Sequence, residues 1–161
     1  MQNKVPAYIK DAIRRRAAAA EKHAAADKQI SEYCKALGLD TEFIDCPVEK
    51  TAEHDPFFFV EDLRNGLQRL REVSPALRRK HVPVVIIDAV MRRSSAAEKY
   101  CIADAQVSAY CKAHRLDVEF VNGHAKTLTD FDADFFICDL VESFERMKNA
   151  QEIKHKKGED R

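Results

Sequence analysis

Only four glycines and five prolines punctuate the 161 residues, and no two glycines are clustered. That leaves little material for a phosphate-cradling loop or a nucleophile elbow, and neither pattern is present. No run of 18 apolar residues occurs, so the sequence contains no candidate for a membrane-crossing helix. The opening "MQNKVPAYIKDAIRRR" lacks an uninterrupted apolar core followed by a small-residue cleavage site, and a cytoplasmic location is expected. Charge of one sign is not in excess: 27 Lys and Arg face 27 Asp and Glu, so no global field draws the chain to nucleic acid or to anionic membrane. The five cysteines, Cys34, Cys46, Cys101, Cys111 and Cys138, form no CxxC pair. Neither a disulfide framework nor a zinc knuckle is indicated, and reduced packing thiols are expected.

What is abundant is Ala, Glu, Lys and Arg, with 45% of residues hydrophobic, a composition that favours long helices around a real core. The chain also repeats itself. Val5–Glu72 aligns with Val82–Asn149 without a gap at an offset of 77, and 29 of the 68 positions are identical. Such self-similarity marks a tandem duplication, so each half should have the same fold. The expected organisation is repeat 1 over residues 1–73, a linker over 74–81 ("SPALRRKH"), repeat 2 over 82–149 and a polar, disordered tail over 150–161.

The comparison of the halves settles one local ambiguity. "VPVVIIDAV" (Val82–Val90) reads alone as a buried strand, because consecutive β-branched residues suit a pleated surface. Its counterpart "VPAYIKDAI" runs into "RRRAAAAEKHAAADKQISEYCKA" without a turn residue and must be helical. Helices are therefore predicted from about Pro6 to Leu37 and from Pro83 to His114, each with proline in its first turn. The predicted apolar stripe follows Ile9, Ile13, Ala17, Ala20, Ala24, Ile30, Cys34 and Leu37, matched by Ile86, Val90, Ala97, Cys101, Val107 and Cys111.

Gly38 supplies a left-handed helix end, whereas repeat 2 has Arg115 there. "LDTEFID" and "LDVEFVN" then read as short extended segments forming a two-stranded bridge. A second helix begins at Asp55, as N-cap with Pro56 in the first turn, and presents Phe59, Leu63, Leu67 and Leu70. Its copy begins near Asp132 and presents Phe136, Leu140, Phe144 and Met147. The fold class expected is thus mainly all-α: long helix, short strand and shorter helix, twice, about a pseudo-twofold axis.

Three groups of residues are candidates for function. Arg14, Arg15, Arg16, Arg92 and Arg93, with Arg78, Arg79 and Lys80 of the linker, would grip phosphates if they shared a face, since guanidinium pairs bidentately with anionic oxygens. The competing reading is a solvated helix face balanced by acids such as Asp11 and Glu21, and no aromatics are interleaved for base stacking. Asp27 and its copy Asp104 lie on or beside the small-residue stripe, eleven positions after Arg16 and Arg93. Across an antiparallel pair of long helices these would meet as Arg16 with Asp104 and Arg93 with Asp27; a catalytic acid is the other reading. Cys111 and His114 have an i, i+3 spacing that suits a metal, and Cys46 lies eight residues before His54. Leu37 and Gly123 break these patterns in the opposite copies, so four ligands do not assemble from local spacing. No cofactor is expected.

Two resemblances accompany these patterns. "VPAYIKDAIRRRAAAAEK" followed by "ISEYCKALGLD" resembles a loose group of small proteins from bacteria, phages and mobile elements. These open with Ile or Val then Pro, run into a long basic helix, and close it with an aromatic and a Gly-Ile or Gly-Leu step. The resemblance covers about 40 residues per half and implies no activity. "AYIKDA", "IIDAVMRRS" and "DLVESFERMK" resemble the catalytic domain of serine recombinases, which would imply an α/β resolvase-like fold. Ala12 stands at the nucleophilic serine, Lys10 at the preceding arginine, and Ala89 where an arginine follows the aspartate, so the resemblance implies an inactive relative. The leading expectation is a non-enzymatic helical interaction module that binds a protein partner or itself; a nucleic-acid-binding accessory protein is the alternative.

Overall fold

A computed structural model describes the chain at residues 5–39, 41, 44–116 and 133–159, with side chains described as far as residue 150. The protein is all-α: the described residues contain helices and no strand. Five α-helices are described: α1 (Ala7–Leu37), α2 (Val48–Ala52), α3 (Pro56–Val73), α4 (Val84–Ala113) and α5 (Ala133–Glu159), with a short 3₁₀ turn at Pro75–Leu77. At 31 residues, α1 spans roughly 46 Å at about 1.5 Å per residue.

Helix prevails at "VVII" because the buried positions recur with helical period. Ile86, Ala89, Val90 and Arg93 are buried, while Val84 and Val85 face solvent in the first turn. A β-branched residue costs a helix only a few tenths of a kcal/mol, whereas burying Ile86 or Val90 returns about 1.5–3 kcal/mol. "AYIKDA", which resembles the recombinase first strand, lies inside α1, and "IIDAVMRRS", which resembles the Asp-Arg motif, lies inside α4, so neither supplies a strand for the α/β alternative.

Both long helices end in a left-handed residue. Gly38 takes φ 73° and Arg115 takes φ 52°. Leu39 N–H donates to the Cys34 carbonyl at 2.8 Å and Leu116 N–H to the Cys111 carbonyl at 2.9 Å, closing equivalent left-handed caps. In α3, the Asp55 carboxylate accepts from Phe57 N–H at 2.8 Å, with Pro56 following as the first helical residue. The counterpart cap at Asp132 lies outside the described residues.

Two expectations need correction. The segment from Leu39 to Asp45 shows no strand at its described residues. Ile44 and Asp45 form a turn, with Asp45 at φ 55°. The Ser31 hydroxyl donates to the Asp45 carboxylate at 2.9 Å and accepts from Asp45 N–H at 3.2 Å, so this segment bonds to α1 and not to another strand. Most of the corresponding "LDVEFVN" lies outside the described residues. The tail expected to be disordered is instead helical, since α5 continues to Glu159. Charged residues at regular helical spacing extend a helix already nucleated by Phe136, Leu140 and Ser143, which are buried.

The chain divides into two compact units, and the division falls inside both long helices. One unit gathers residues up to Ala17 with those from Ile102 onward; the other is Ala18–Cys101. The boundaries expected from the repeats, 1–73 and 82–149, are therefore not the boundaries of the compact units. Each unit combines part of α1 and part of α4, with α2 and α3 in the 18–101 unit and α5 in the other.

In the 18–101 unit the core joins Ile30 and Cys34 of α1 and Leu39 to Phe59, Leu63 and Leu67 of α3 and to Ile86 and Val90 of α4. Contacts Arg93–Asp27 and Arg92–Gln29 show α4 running antiparallel to α1. Phe59 lies at Arg93, while Leu67 shares a cleft with Val82, so α3 is also antiparallel to α4. In the other unit the first turns of α1 face the last turns of α4 in the same sense, through Arg15–Gln106, Arg16–Asp104 and Tyr8–Tyr110.

The buried stripe differs in detail from the predicted one. Ala24 is exposed and Ala17 only half-buried, while Ala12, Arg16, Ala19, His23 and Ala26 are buried. In α4, Cys101 is half-buried, and Ala89, Arg93, Ala96, Tyr100 and Ala103 are buried. The alanines and the arginine of this set recur in both repeats at the 77-residue offset, with His23 replaced by Tyr100, while Ser31 and Tyr110 are each buried in one copy only. The recurring part is a run of alanines admitting one arginine, where small neighbours leave room for a long side chain.

Candidate functional site

The polar chemistry of each unit centres on one arginine and one aspartate. Arg93 is 1% exposed, and its Nη1 donates to Asp27 Oδ1 at 2.8 Å. The guanidinium lies 4.9 Å from the centroid of the Phe59 ring, so the cation meets a carboxylate and an aromatic face. Asp27 Oδ1 also accepts from Cys46 N–H at 3.1 Å, fixing the segment before α2. Burial pushes the Asp27 carboxyl above its ordinary range, against the opposing pull of Arg93 and of the Cys46 N–H.

The other unit has the equivalent arrangement. Arg16 is 1% exposed and donates through Nη1 to Asp104 Oδ1 at 2.9 Å, with Phe136 at 5.4 Å from the guanidinium carbon. The Asp104 side chain is more exposed than that of Asp27, 29% against 16%. Each aspartate is thus occupied by a guanidinium, an arrangement that holds helices in register.

Beside the Arg93–Asp27 pair lies a contact that the sequence did not reveal. His23 is buried, and its Nε2 is 3.0 Å from Thr51 Oγ1. Thr51 commits its single hydroxyl proton to the Pro47 carbonyl at 3.0 Å. With that proton so placed, the hydroxyl oxygen accepts from His23 Nε2–H, a donor that the Nε2–H tautomer of the neutral ring supplies. Burial, reinforced by the Arg93 charge, lowers the His23 pKa from 6.5 to about 4. Tyr100 occupies the corresponding place in repeat 2 and is also buried, so this link belongs to one unit only. The available signal was position: His23 falls seven residues after Arg16, on the same helical face.

The arginine cluster separates on folding. Arg16 and Arg93 are consumed by their aspartates and do not belong to a phosphate-gripping surface. Arg15 and Arg92 are exposed. Each bonds the carboxylate four residues earlier, Arg15 to Asp11 at 2.8 Å and Arg92 to Asp88 at 3.0 Å. Each also reaches the other long helix, Arg15 to Gln106 and Arg92 to Gln29. Arg14, Arg78, Arg79 and Lys80 are exposed. An open cleft of ≈ 450 Å³ lies beside the linker, lined by Glu61, Arg64, Leu67, Arg71, His81 and Val82 among others, with Arg64 paired to Glu61 at 2.8 Å.

The thiols and imidazoles fall into separate surroundings. Cys34, Cys46 and Cys111 are buried, Cys101 is half-buried and Cys138 is exposed; none of the five forms a disulfide. Burial pushes the Cys34 and Cys111 thiols up to about 11, which disfavours the thiolate needed for nucleophilic attack or metal ligation. His114, expected beside Cys111, lies tilted at 4.4 Å from Tyr110 and packs edgewise 5.6 Å from Phe144. His54 stacks on Phe58 at 4.7 Å. Among the described residues no three His, Cys, Asp or Glu side chains gather where a metal would sit, and no helix is long and apolar enough to cross a membrane.

The exposed surface carries large apolar side chains at helix starts. In the 18–101 unit Phe57 is 64% and Phe58 46% exposed at the first turn of α3, and Val84 and Val85 are exposed at the start of α4. In the other unit Tyr8 and Phe135 occupy the positions equivalent to Val85 and Phe58, and both are exposed. Sequence reasoning had assigned α3 and α5 their inward faces and had overlooked these outward ones. Compared with family models, curated proteins and solved structures, the chain matches none.

Proposed function

We propose that the chain is a non-enzymatic helical interaction module that binds a protein partner through the aromatic side chains at the starts of its shorter helices. The observation that carries this reading is the pair Phe57 and Phe58, exposed side by side on a helix whose N-cap, proline and buried face hold them rigidly in place. Exposed aromatics on a stiff support are favourable binding anchors, because little side-chain entropy is lost when they are covered. The buried Arg–Asp pairs serve the scaffold in this reading: they set the register of the long helices on which the shorter ones are mounted. An origin in a phage or mobile element belongs to the same reading, through the resemblance of the α1 sequence.

The test compares the wild-type chain with a Phe57→Ser, Phe58→Ser variant as bait in lysate of the native host, with circular dichroism to verify that the variant keeps its helices. A protein that co-purifies stoichiometrically with wild type, and is lost or weakened at least tenfold with the variant, supports the module. Equal capture by both baits overturns it. The nucleic-acid alternative is examined by titration with duplex DNA at two salt concentrations. Binding that falls steeply with salt, and is abolished by Arg15→Ala with Arg92→Ala, would replace the protein-binding reading.

A further inference from the structure

Every specific polar contact described between α1 and α4 joins one repeat to the other. Arg16 of repeat 1 bonds Asp104 of repeat 2, and Arg93 of repeat 2 bonds Asp27 of repeat 1. The exposed flank repeats the pattern, with Arg15 to Gln106 at 2.9 Å and Arg92 to Gln29 at 3.0 Å. At the 77-residue offset the partners are the same residues: Arg15 and Arg92, Arg16 and Arg93, Asp27 and Asp104, Gln29 and Gln106. The buried alanines that let the helices approach are also identical, Ala12 with Ala89, Ala19 with Ala96 and Ala26 with Ala103. Each compact unit is accordingly assembled from both repeats, and neither repeat contains a whole unit.

We infer that a second copy of this chain is a partner, with the repeats of two chains exchanging so that repeat 1 of each pairs with repeat 2 of the other through the contacts that close the units within one chain. The recognition chemistry offers nothing by which a repeat could distinguish a partner in its own chain from one in another. Only the connection decides. Residues 74–81 supply it, with one 3₁₀ turn at Pro75–Leu77 and an exposed Arg78–Arg79–Lys80. A connection this short gives the attached repeat an effective concentration on the order of millimolar, so the closed monomer prevails in dilute solution. Exchange requires parting the long helices in both units, so dimers formed when chains fold together at high concentration persist after dilution. The aromatic side chains of the preceding section take no part, and loss of one activity leaves the other intact.

The register also supplies a readout. Lys22 and Lys99 are exposed, and each stands seven residues from a member of the Arg92–Gln29 contact, on the same flank of its helix. An amine-reactive cross-linker should therefore join Lys22 to Lys99, one from each repeat. Equal amounts of ordinary and ¹⁵N-labelled full-length chain are unfolded together in denaturant, refolded at high concentration, separated by size and cross-linked. In the dimer fraction about half of the Lys22–Lys99 cross-links should be of mixed isotope, as random pairing of swapped chains requires, while the monomer fraction should give none. The same procedure is applied to a chain lacking Ala76–Arg79, whose shortened connection should raise the dimer share severalfold. Lys22–Lys99 cross-links exclusively of a single isotope in the dimer fraction, with none mixed, would show association by another surface and overturn the inference. Absence of a dimer from both the full-length and the shortened chain would overturn it as well.

Discussion

The Arg93 guanidinium is held at 2.8 Å from the Asp27 carboxylate and 4.9 Å from the centre of the Phe59 ring, with the arginine 1% exposed. One side chain thereby connects α4 to α1 and α3. Asp27→Ala leaves that cation buried without its carboxylate and should destabilise the protein by about 3 kcal/mol. A double-mutant cycle by urea unfolding should give a coupling of about 1–3 kcal/mol for Asp27 with Arg93, and near-additivity for Asp27 with Arg16, which belongs to the other pair. Coupling between Asp104 and Arg16 should be smaller, since Asp104 is the more exposed aspartate.

The left-handed caps give opposite predictions in the two repeats. Arg115→Gly should stabilise by about 0.5–1 kcal/mol, because a left-handed non-glycine residue carries about 1–2 kcal/mol of strain, partly offset by the greater chain entropy of glycine. Gly38→Ala should destabilise by about 1 kcal/mol. The space around an added Cβ at Gly38 is open within 4 Å, so that loss would come from the backbone and not from a clash. Thermal unfolding of the two variants checks both signs.

His23 makes stability depend on pH. Its folded pKa of about 4 lies below the ordinary 6.5, so between these values the unfolded chain binds the proton more readily. The stability that neutral His23 provides is complete above pH 6.5 and is lost as pH falls through 4, by up to about 3 kcal/mol. Asp27, whose carboxyl is raised, acts oppositely at the acid end: between its ordinary and raised values the folded chain takes up the proton first. Urea midpoints at pH 7 and pH 5 should differ for wild type and differ less for His23→Gln.

Asp55→Ala removes the acceptor for Phe57 N–H and should cost about 1 kcal/mol. The loss should be accompanied by faster amide exchange at Phe57 than at Leu67, because the freed donor lies in the first turn. Equal acceleration along the whole of α3 would show that the cap acts on global stability alone.

Much of the fold was legible because its determinants are local. Pro6, Gly38, Asp55 and Pro56 mark helix ends through their own backbone chemistry. The duplication carried the helical reading of "AYIKDA" across to the β-rich "VVIIDA", where single-segment propensity pointed the other way. The antiparallel pairing of Arg16 with Asp104 and Arg93 with Asp27 also follows from that symmetry, since each residue has its copy 77 positions away. Other features were illegible because their meaning depends on distant partners. Arg16 was a candidate both for the phosphate-gripping cluster and for pairing with Asp104, and its burial against Asp104 and Phe136 decided between the two. Leu39–Asp45 has an alternation suited to a strand, but Ser31 bonds its end at Asp45 and Asp27 bonds the next residue, Cys46, contacts that no second strand had to supply.

By itself, then, the sequence determined the helical character, the repeated order of elements and the positions of most caps, because these rest on backbone geometry within a few residues. Only the tertiary structure decided that each long helix is divided between two compact units at Ala17 and at Cys101, that His23 is neutral against Thr51, and that Phe57 and Phe58 remain outside. The physical reason is that periodicity tells which side chains share a helix face, whereas the neighbour available to that face is settled by contacts between residues far apart in the chain.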